Sequence, residues 1–368
     1  MESQVGFPSP NLTGDPAAHG LALDAEEVAA TKKIMGLANE SFYVPEDVLE
    51  MYRQAGSAGA KLRQKWESSV DTEIFKHDQQ IADAAKNLAI DFDSSKPLAT
   101  RKASQACLSE LATSVETLIG GSADLTGNTG LKLDDIAQSA QTPEGRQIYF
   151  GIREHAQGAA LVGAAQHGGV LPVSGTFLVF ADYMRPAIRL AAMSRSKCVF
   201  VFTHDSVGVG EDGPTHQPVE HVASLRAIPN LYVFRPADAI ETAECWELSV
   251  ERTDGPSLHA LTRQGLPQVR TSADKNMCSR GGYVLKAGEG ADDIVLLASG
   301  SEVHLAVEAH KELSTQGISA RVVSVPCMDL FLDQDEKYIR SVTGKDLPKI
   351  AIEAGIRQGW DGLIGRQG

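Results

Sequence analysis

Apolar and polar residues along this chain follow two kinds of period, and the change between them organises it. Residues 1–20 are rich in Pro, Gly and Asn and read as loop. "LDAEEVAATKKIMG" (23–36) has acids early, lysines late and glycine at its end, the polarity of a short helix. "VPEDVLEMYRQAG" (44–56) repeats that pattern, with Pro45 in the first turn. Residues 57–100 are polar and weakly periodic, and read as a linker carrying one or two surface helices. From Arg101 the texture changes. "KASQACLSELATSV" reads as helix, "TLIGGSADLTG" as a strand running into a glycine loop, "RQIYFG" as a strand and "IREHAQGAALVGAAQHGG" as a small-residue helix. "VLPVSGT", "FADYMRPAIRLAAMSR" and "KCVFVFTH" continue as strand, helix and strand, and "PVEHVASLRAI" places Pro218 in a helical first turn. "LYVFRP", "AIETAECWELSVER" and "SLHALTR" extend the alternation. A second block runs from "GGYVLK" through "DIVLLASG", "SEVHLAVEAHKELSTQG" and "ISARVVSVP" to "KIAIEAG". The pattern predicts an α/β fold built on parallel sheet flanked by helices, with a boundary near "QVRTSADKNMCSR".

Composition narrows what such a fold can do. The chain has 368 residues, room for two or three domains at ~100–200 residues each. Its formal net charge is −14, so nucleic acid and acidic membrane surfaces are excluded as expected partners. Small phosphorylated substrates need only a local cluster of Arg and His. Cys107, Cys198, Cys245, Cys278 and Cys327 lie far apart without a CxxC, which points to reduced thiols. No apolar run reaches the ~18 residues of a membrane span, and "MESQVGFPSPNLTGDP" lacks a secretory pattern. A cytoplasmic location is the expectation.

The densest chemistry lies in "THDSVGVGEDGPTHQP", Thr203 to Pro218. Gly208, Gly210 and Gly213 satisfy G-x-G-x-x-G after an apolar strand. A pyrophosphate would meet Glu211 and Asp212 there, and Pro214 and Pro218 delay the helix whose N-terminus it needs. His204, His216 and His221 lack the i, i+4 spacing of a helical zinc pair, and no cysteine is near. A merely polar loop explains poorly why such groups crowd the end of so apolar a strand. Ligands of open α/β sheets bind beyond the carboxyl ends of strands. Neutral imidazoles and a carboxylate there hydrogen-bond hydroxyls and move protons near pH 7. A polyhydroxylated substrate fits His204, Asp212 and His216 best.

Glu154 stands between a strand and a helix of Ala and Gly. As a first-turn glutamate it complements the helix dipole. Lodged beside apolar surface, it can instead keep a proton for a ring nitrogen. Phe177, Phe180 and Tyr183 recur at i, i+3 and i+6, as core or as the wall of a flat pocket. Arg101 at a helix entrance and Arg263 past a strand are surface cations or bidentate phosphate contacts.

Together "GGSADLTG", "YFGIREHAQGA", "GTFLVFADY", "THDSVGVGEDGPTHQP", "IPNLYVFRPAD", "LTRQGLP" and "RGGYVLK" resemble the transketolase family in order and spacing. The resemblance is weakest at residues 57–97. It implies a tail of a diphosphate-binding domain at 1–60, a linker at 61–97, a pyrimidine-binding domain at 98–272 and an incomplete C-terminal domain at 276–368. It implies thiamine diphosphate as cofactor and transfer of a two-carbon ketol unit from a ketose phosphate to an aldose phosphate. Glu154 resembles the glutamate that holds the aminopyrimidine and promotes the imino tautomer that takes the thiazolium C2 proton. Phe180 resembles the ring stacked on that pyrimidine, with Phe177 and Tyr183 beside it, and Asp124 and Leu125 match cofactor-contacting positions. His204, Asp212 and His216 resemble groups that hold donor and acceptor hydroxyls, with His216 assisting proton transfer. Arg101 and Arg263 resemble phosphate anchors.

The sequence also departs from the family pattern. No GDG motif occurs, so ligands for Mg²⁺ or Ca²⁺ are expected outside this chain, and most of the diphosphate-binding domain is expected to be absent. Pro16 stands where a histidine is usual, with His19 matching a later one, and Asn128 near the place of a phosphate-contacting serine. The expected assembly is a homodimer, a pairing with a separate diphosphate-binding chain, or both. Alternatives are an inert truncated dimerisation protein, a 2-oxoacid dehydrogenase β subunit and a dihydroxyacetone synthase. The "DGPTHQP" loop and Arg263 favour transketolase over the oxoacid enzyme.

Overall fold

Two stretches of chain pack upon themselves, Met1–Thr72 and Glu73–Gly368. The structure is a computed structural model and describes residues 3–70, 77–86, 88, 93–133 and 135–366. In the first unit, Asp15 caps a 3-10 turn at Pro16–His19. Asp24 caps α1 (Ala25–Ile34), accepting from the Glu27 N–H at 2.8 Å. The Glu27 carboxylate accepts from the Ser9 hydroxyl, then from Asn11 N at 3.0 Å and Nδ2 at 2.7 Å, and these bonds hold it below the usual carboxylate range. Helix α2 (Glu46–Glu67) starts after Pro45 and buries none of its residues.

The second unit carries two sheets. Helices α3 (His77–Lys86) and α4 (Thr100–Ser114) precede β1 (Leu118–Ser122), α5 (Thr126–Thr129) and β2 (Gln147–Tyr149). Then come α6 (Glu154–His167), β3 (Leu171–Phe177), α7 (Ala181–Met193), β4 (Val199–Thr203), α8 (His221–Arg226), β5 (Tyr232–Phe234), α9 (Ala239–Glu251) and β6 (Ser257–Leu261). The strands pair in the order β2-β1-β3-β4-β6-β5, all parallel. Alternate strand residues face opposite sides. Phe200, Phe202 and Leu258 therefore pack against α6, α7 and α8, while Val199, Val201 and Leu261 pack against α3, α4 and α9. Right-handed crossovers give the same division. Leu98 and Leu266 exchange backbone hydrogen bonds at 2.9 and 3.1 Å and tie the start of this layer to its end.

Two local expectations change. The stretch read as a linker with surface helices is helical over α2 and α3, and Ile81 and Ala85 of α3 are core residues against α4 and α9. Its period was hidden because exposed charged residues, Asp83 and Lys86, interrupt the apolar positions of α3. Pro218 lies before α8, which starts at His221 after Glu220, so it occupies no helical first turn.

The second sheet contains β7 (Tyr283–Lys286), β8 (Ile294–Ala298), β9 (Ala320–Ser324) and β10 (Lys349–Ile352), in the order β10-β8-β9-β7. Strands β8, β9 and β10 are parallel, and β7 is antiparallel with an irregular register between Val284 and Lys286. A parallel neighbour needs a long crossover, and residues 287–293 hold no helix to supply one. Helix α10 (Val303–Thr315) covers one face. Helices α11 (Met328–Leu332), α12 (Glu336–Thr343) and α13 (Asp361–Ile364) enclose Phe331, Val342 and Trp360 on the other.

Candidate active site

From β1 the chain turns outward to β2, and from β3 it turns the opposite way to β4. The carboxyl ends of β1 and β3 therefore flank a topological switch point, where open α/β sheets leave a crevice. Past β1, Ser122 Oγ donates to Gly175 O at 2.9 Å and accepts from Leu125 N at 3.2 Å, which folds the Asp124–Leu125 turn over the strand end. Asp124 has a φ of 60°, a left-handed conformation rare outside glycine, and its side chain is exposed.

Helices α6 and α7 both begin at this edge. They approach closely at Gly158, where a Cβ would lie 2.7 Å from Met184 Cγ and 2.9 Å from Ala187 Cβ. Glu154 sits one turn earlier on the same face of α6 and is 7 % exposed. Its carboxylate makes no hydrogen bond or ion pair with any described residue, an open acceptor in an enclosed place.

Past β3, Phe177 and Phe180 lie with centroids 5.8 Å apart and planes 25° from parallel. Both histidines of the loop after β4 reach them. His204 packs on Phe177 at 4.4 Å, and His216 meets Phe177 and Phe180 edge-on at 5.8 and 5.4 Å. Tyr183 touches Phe180 at 6.1 Å but is 65 % exposed, so it flanks the group without closing it.

His204 is buried, and its Nδ1 has no partner. Burial, assisted by the charges of Arg101 and Arg263 and opposed by Asp212, lowers its pKa to about 4, so the ring is neutral at pH 7. Asp212 Oδ2 lies 4.0 Å from His204 Nε2. His216 Nδ1 and Thr215 Oγ1 are 2.9 Å apart.

The two arginines are brought together from 162 positions apart by a pair of threonines. Thr100 N donates to Thr262 Oγ1 at 3.0 Å, and Thr262 N to Thr100 Oγ1 at 2.8 Å. Arg101 and Arg263 each follow one of these threonines. Arg101 donates to the backbone oxygen of Asn128 at 3.0 Å, and its buried Nε is unpartnered. Burial foremost, then Arg263, lowers the Arg101 pKa. Asn128 thus contributes its backbone, while its side chain is exposed. Arg263 Nη2 donates to both oxygens of Glu211, at 3.1 and 3.0 Å. Gly210 makes room for that pair: its φ is 81°, and a Cβ there would lie 3.0 Å from Arg263 Nη1.

The structure thus gathers Phe177, Phe180, His204, Asp212, His216, Arg101, Asn128 and Arg263 into one contiguous group, with Glu154, Asp124 and Leu125 on the same sheet edge. Sequence reasoning missed Glu211 as the partner of Arg263, and it missed a buried network behind His204. There Asp205 meets Arg235, which also meets Glu302. The available signal was a pair of opposite charges at the ends of two apolar strands, "VFTHD" and "VFRP". Asp182, Glu220 and His221 also cluster, but Asp182 faces Nε2 at 3.2 Å and Glu220 faces Nδ1 at 3.9 Å. The two carboxylates thus lie against different ring nitrogens, and His221 Nε2 is hydrogen-bonded to Asp182, linking α7 and α8.

Comparison with known proteins bears on this group. The transketolase pyrimidine-binding domain model matches residues 96–268, the transketolase-like C-terminal domain model residues 281–368, and the transketolase thiamine diphosphate-binding domain model residues 1–92. A curated transketolase of Cereibacter sphaeroides is 43 % identical over 375 residues, covering 99 % of this chain and 57 % of its own length. The chain thus spans a little over half the length of the curated relatives it matches. The solved transketolase of Leishmania mexicana superposes with a TM-score of 0.89 at 36 % identity, over 98 % of this chain and 55 % of that one. A split-gene transketolase solved as an inactive β4 tetramer superposes with a TM-score of 0.60 at 27 % identity, over 74 % of this chain and 86 % of that one.

Proposed function

This chain belongs to the transketolase family, and on that premise we propose that it forms the pyrimidine and sugar side of a ketol-transferring thiamine-diphosphate site. Residues 98–272 serve as the pyrimidine-binding domain and 276–368 as the C-terminal domain, with 1–60 belonging to the diphosphate-binding side. One observation carries the reading. Unpartnered buried polar atoms gather at a sheet switch point: Nδ1 of His204, whose ring packs on the nearly stacked Phe177–Phe180 pair, and Nε of Arg101, whose charge acts on His204. An unsatisfied buried donor or acceptor costs about 1–3 kcal/mol, which a ligand would recover.

The residues fit the cofactor's heterocycle. Phe177 and Phe180 offer a flat apolar face, and Glu154 an enclosed carboxyl without a partner among the described residues. When bound, thiamine diphosphate supplies the nucleophilic carbon that receives and releases the two-carbon ketol unit. This chain's residues do the rest of their side of the work. Glu154 holds a proton at a ring nitrogen and so sets the tautomer. Phe180 and Phe177, flanked by Tyr183, fix the ring plane, with Asp124 and Leu125 against the cofactor. Neutral His204 binds a sugar hydroxyl, Asp212 orients it, and His216 binds a second hydroxyl and moves its proton. Arg101 and Arg263 anchor the sugar phosphate, at the edge where Asn128 holds Arg101.

The divalent ion, Mg²⁺ or Ca²⁺, would take its ligands from the diphosphate-binding side of the site, in a homodimeric or mixed assembly in the cytoplasm. The split-gene relative, inactive as a β4 tetramer, supports that arrangement. The test is a coupled assay with xylulose 5-phosphate and ribose 5-phosphate. The chain is assayed alone and with the diphosphate-binding half of the Cereibacter sphaeroides relative. Little turnover alone and turnover on mixing is the expected result. Failure of the mixture to turn over, despite complex formation, would overturn the proposal.

A further inference from the structure

We propose that Asp205 and Arg235 are positioning residues, through which the C-terminal sheet holds the His204 loop in its substrate-binding geometry. The proposal deepens the sugar-binding reading of His204 and rests on it.

Asp205 directly follows His204 and is 1 % exposed. Its Oδ2 accepts from Arg235 Nε at 2.9 Å and lies 2.8 Å from Nη2. Arg235 directly follows β5 and is fully buried. Its other donors all go to the C-terminal domain. Nη1 donates to Ser299 O at 2.8 Å and to Glu302 Oε2 at 2.5 Å, and Nη2 donates to Ser301 Oγ at 3.0 Å. Its backbone is fixed as well, with Arg235 N donating to Pro326 O at 2.8 Å and Gly300 N to Arg235 O at 2.9 Å. Gly300 has a φ of 55°, and a Cβ there would lie 2.5 Å from Arg235 Cγ, so the side chain lies flat on a backbone only glycine supplies. One planar cation thereby joins the loop after β4, the end of β5 and the loop after β8.

Burying such a network costs desolvation that its internal attraction need not exceed, so stability alone is a weak reason for it. A bidentate guanidinium–carboxylate pair does fix direction. One residue away, His204 rests on Phe177 at 4.4 Å with Nδ1 left open. With only one peptide between them, a fixed Asp205 carboxylate leaves the His204 ring little freedom. A second interdomain pair provides a comparison. Tyr283 Oη donates to Glu241 Oε1 at 2.7 Å, and among the described residues no hydrogen bond or ion pair joins either of them to Asp205, Arg235 or His204.

The test is the NMR titration of His204 in the full chain with ¹⁵N-labelled histidine, in wild type, D205A, D205N and Y283F. The H204Q spectrum assigns the signal. D205A loosens the loop, admits water and moves the His204 midpoint up by about one unit toward the ordinary histidine value. D205N, whose amide oxygen still accepts from Arg235, stays near wild type. Y283F lowers the thermal midpoint and leaves His204 where it was. If D205A does not fold, E302Q tests the clamp from its far end, and a smaller upward shift is expected. An unmoved His204 in folded D205A or E302Q, or an equal shift in Y283F, would overturn the proposal. The readout needs no substrate. A chain that shows the shift but does not bind ribose 5-phosphate would refute the sugar reading and leave the clamp intact.

Discussion

Arg263 and Glu211 form a two-pronged pair, with one guanidinium nitrogen 3.1 and 3.0 Å from the two carboxylate oxygens. The cation proposed to anchor a phosphate therefore already holds an anion of its own chain. Glu211 is largely exposed, and backbone hydrogen bonding, with the neighbouring Arg263 guanidinium, lowers its pKa. Glu211→Gln should free Arg263 and tighten ribose 5-phosphate binding a few-fold at low salt, with the gain fading at high salt as exposed charges are screened. Calorimetric titration at two ionic strengths measures this, and unchanged affinity at low salt would show that the pair does not compete with phosphate.

Glu154 is buried yet makes no hydrogen bond or ion pair with the described residues. Glu154→Gln should leave the thermal midpoint nearly unchanged, because no hydrogen bond or ion pair with the described residues is lost. Ketol transfer in the complemented enzyme should fall at least a hundredfold, the order of a lost general acid–base group. A variant equally stable and fully active would remove Glu154 from the chemistry.

His204 gives folding a pH dependence of definite sign. Its folded pKa is about 4, lowered from 6.5 chiefly by burial. Between those values the unfolded chain binds the extra proton. The stabilisation from a neutral His204 is therefore complete above pH 6.5 and is lost as the pH falls toward 4. His259, fully buried and lowered to about 3, acts in the same direction. His204→Gln should reduce the slope of unfolding free energy against pH by up to about 1.4 kcal/mol per unit across this window. Urea denaturation at pH 7 and pH 5 is the measurement, and an unaltered slope would mean the ring is not shielded from water.

Thr100 and Thr262 exchange hydrogen bonds in a fully buried setting. Thr262→Val removes the acceptor for Thr100 N and keeps the volume. The loss should be about 1–3 kcal/mol, the cost of a buried unsatisfied group. Arg101 and Arg263 should also lose their common register, so sugar-phosphate affinity should drop with stability. Thermal denaturation and ribose 5-phosphate titration check the two effects separately. A destabilised variant with wild-type affinity would show that the threonine pair supports the fold alone.

Much of the second unit was legible because its signals are local. "KCVFVFTH" is β-branched and aromatic enough to read as a buried strand, and "IREHAQGAALVGAAQHGG" carries helix formers closed by glycine. The charged linker stretch misled because the buried Ile81 and Ala85 of α3 stand among polar neighbours in the sequence. The antiparallel β7 was missed because strand direction depends on the partner, and a strand's own residues do not encode it. The residue types of the candidate site were legible as unusual polar groups at the ends of apolar strands. The partners of those groups were not.

The sequence by itself determined the α/β order, the family and the kinds of side chain at the strand ends, since periodicity and motif are properties of neighbouring residues. Only tertiary structure decided that Arg263 pairs with Glu211, that Thr262 meets Thr100 and that Asp205 reaches the C-terminal domain through Arg235. These contacts join residues 30 to 162 positions apart. Their geometry follows from which strands lie side by side and where each one ends, and that depends on packing of the whole sheet rather than on any local stretch.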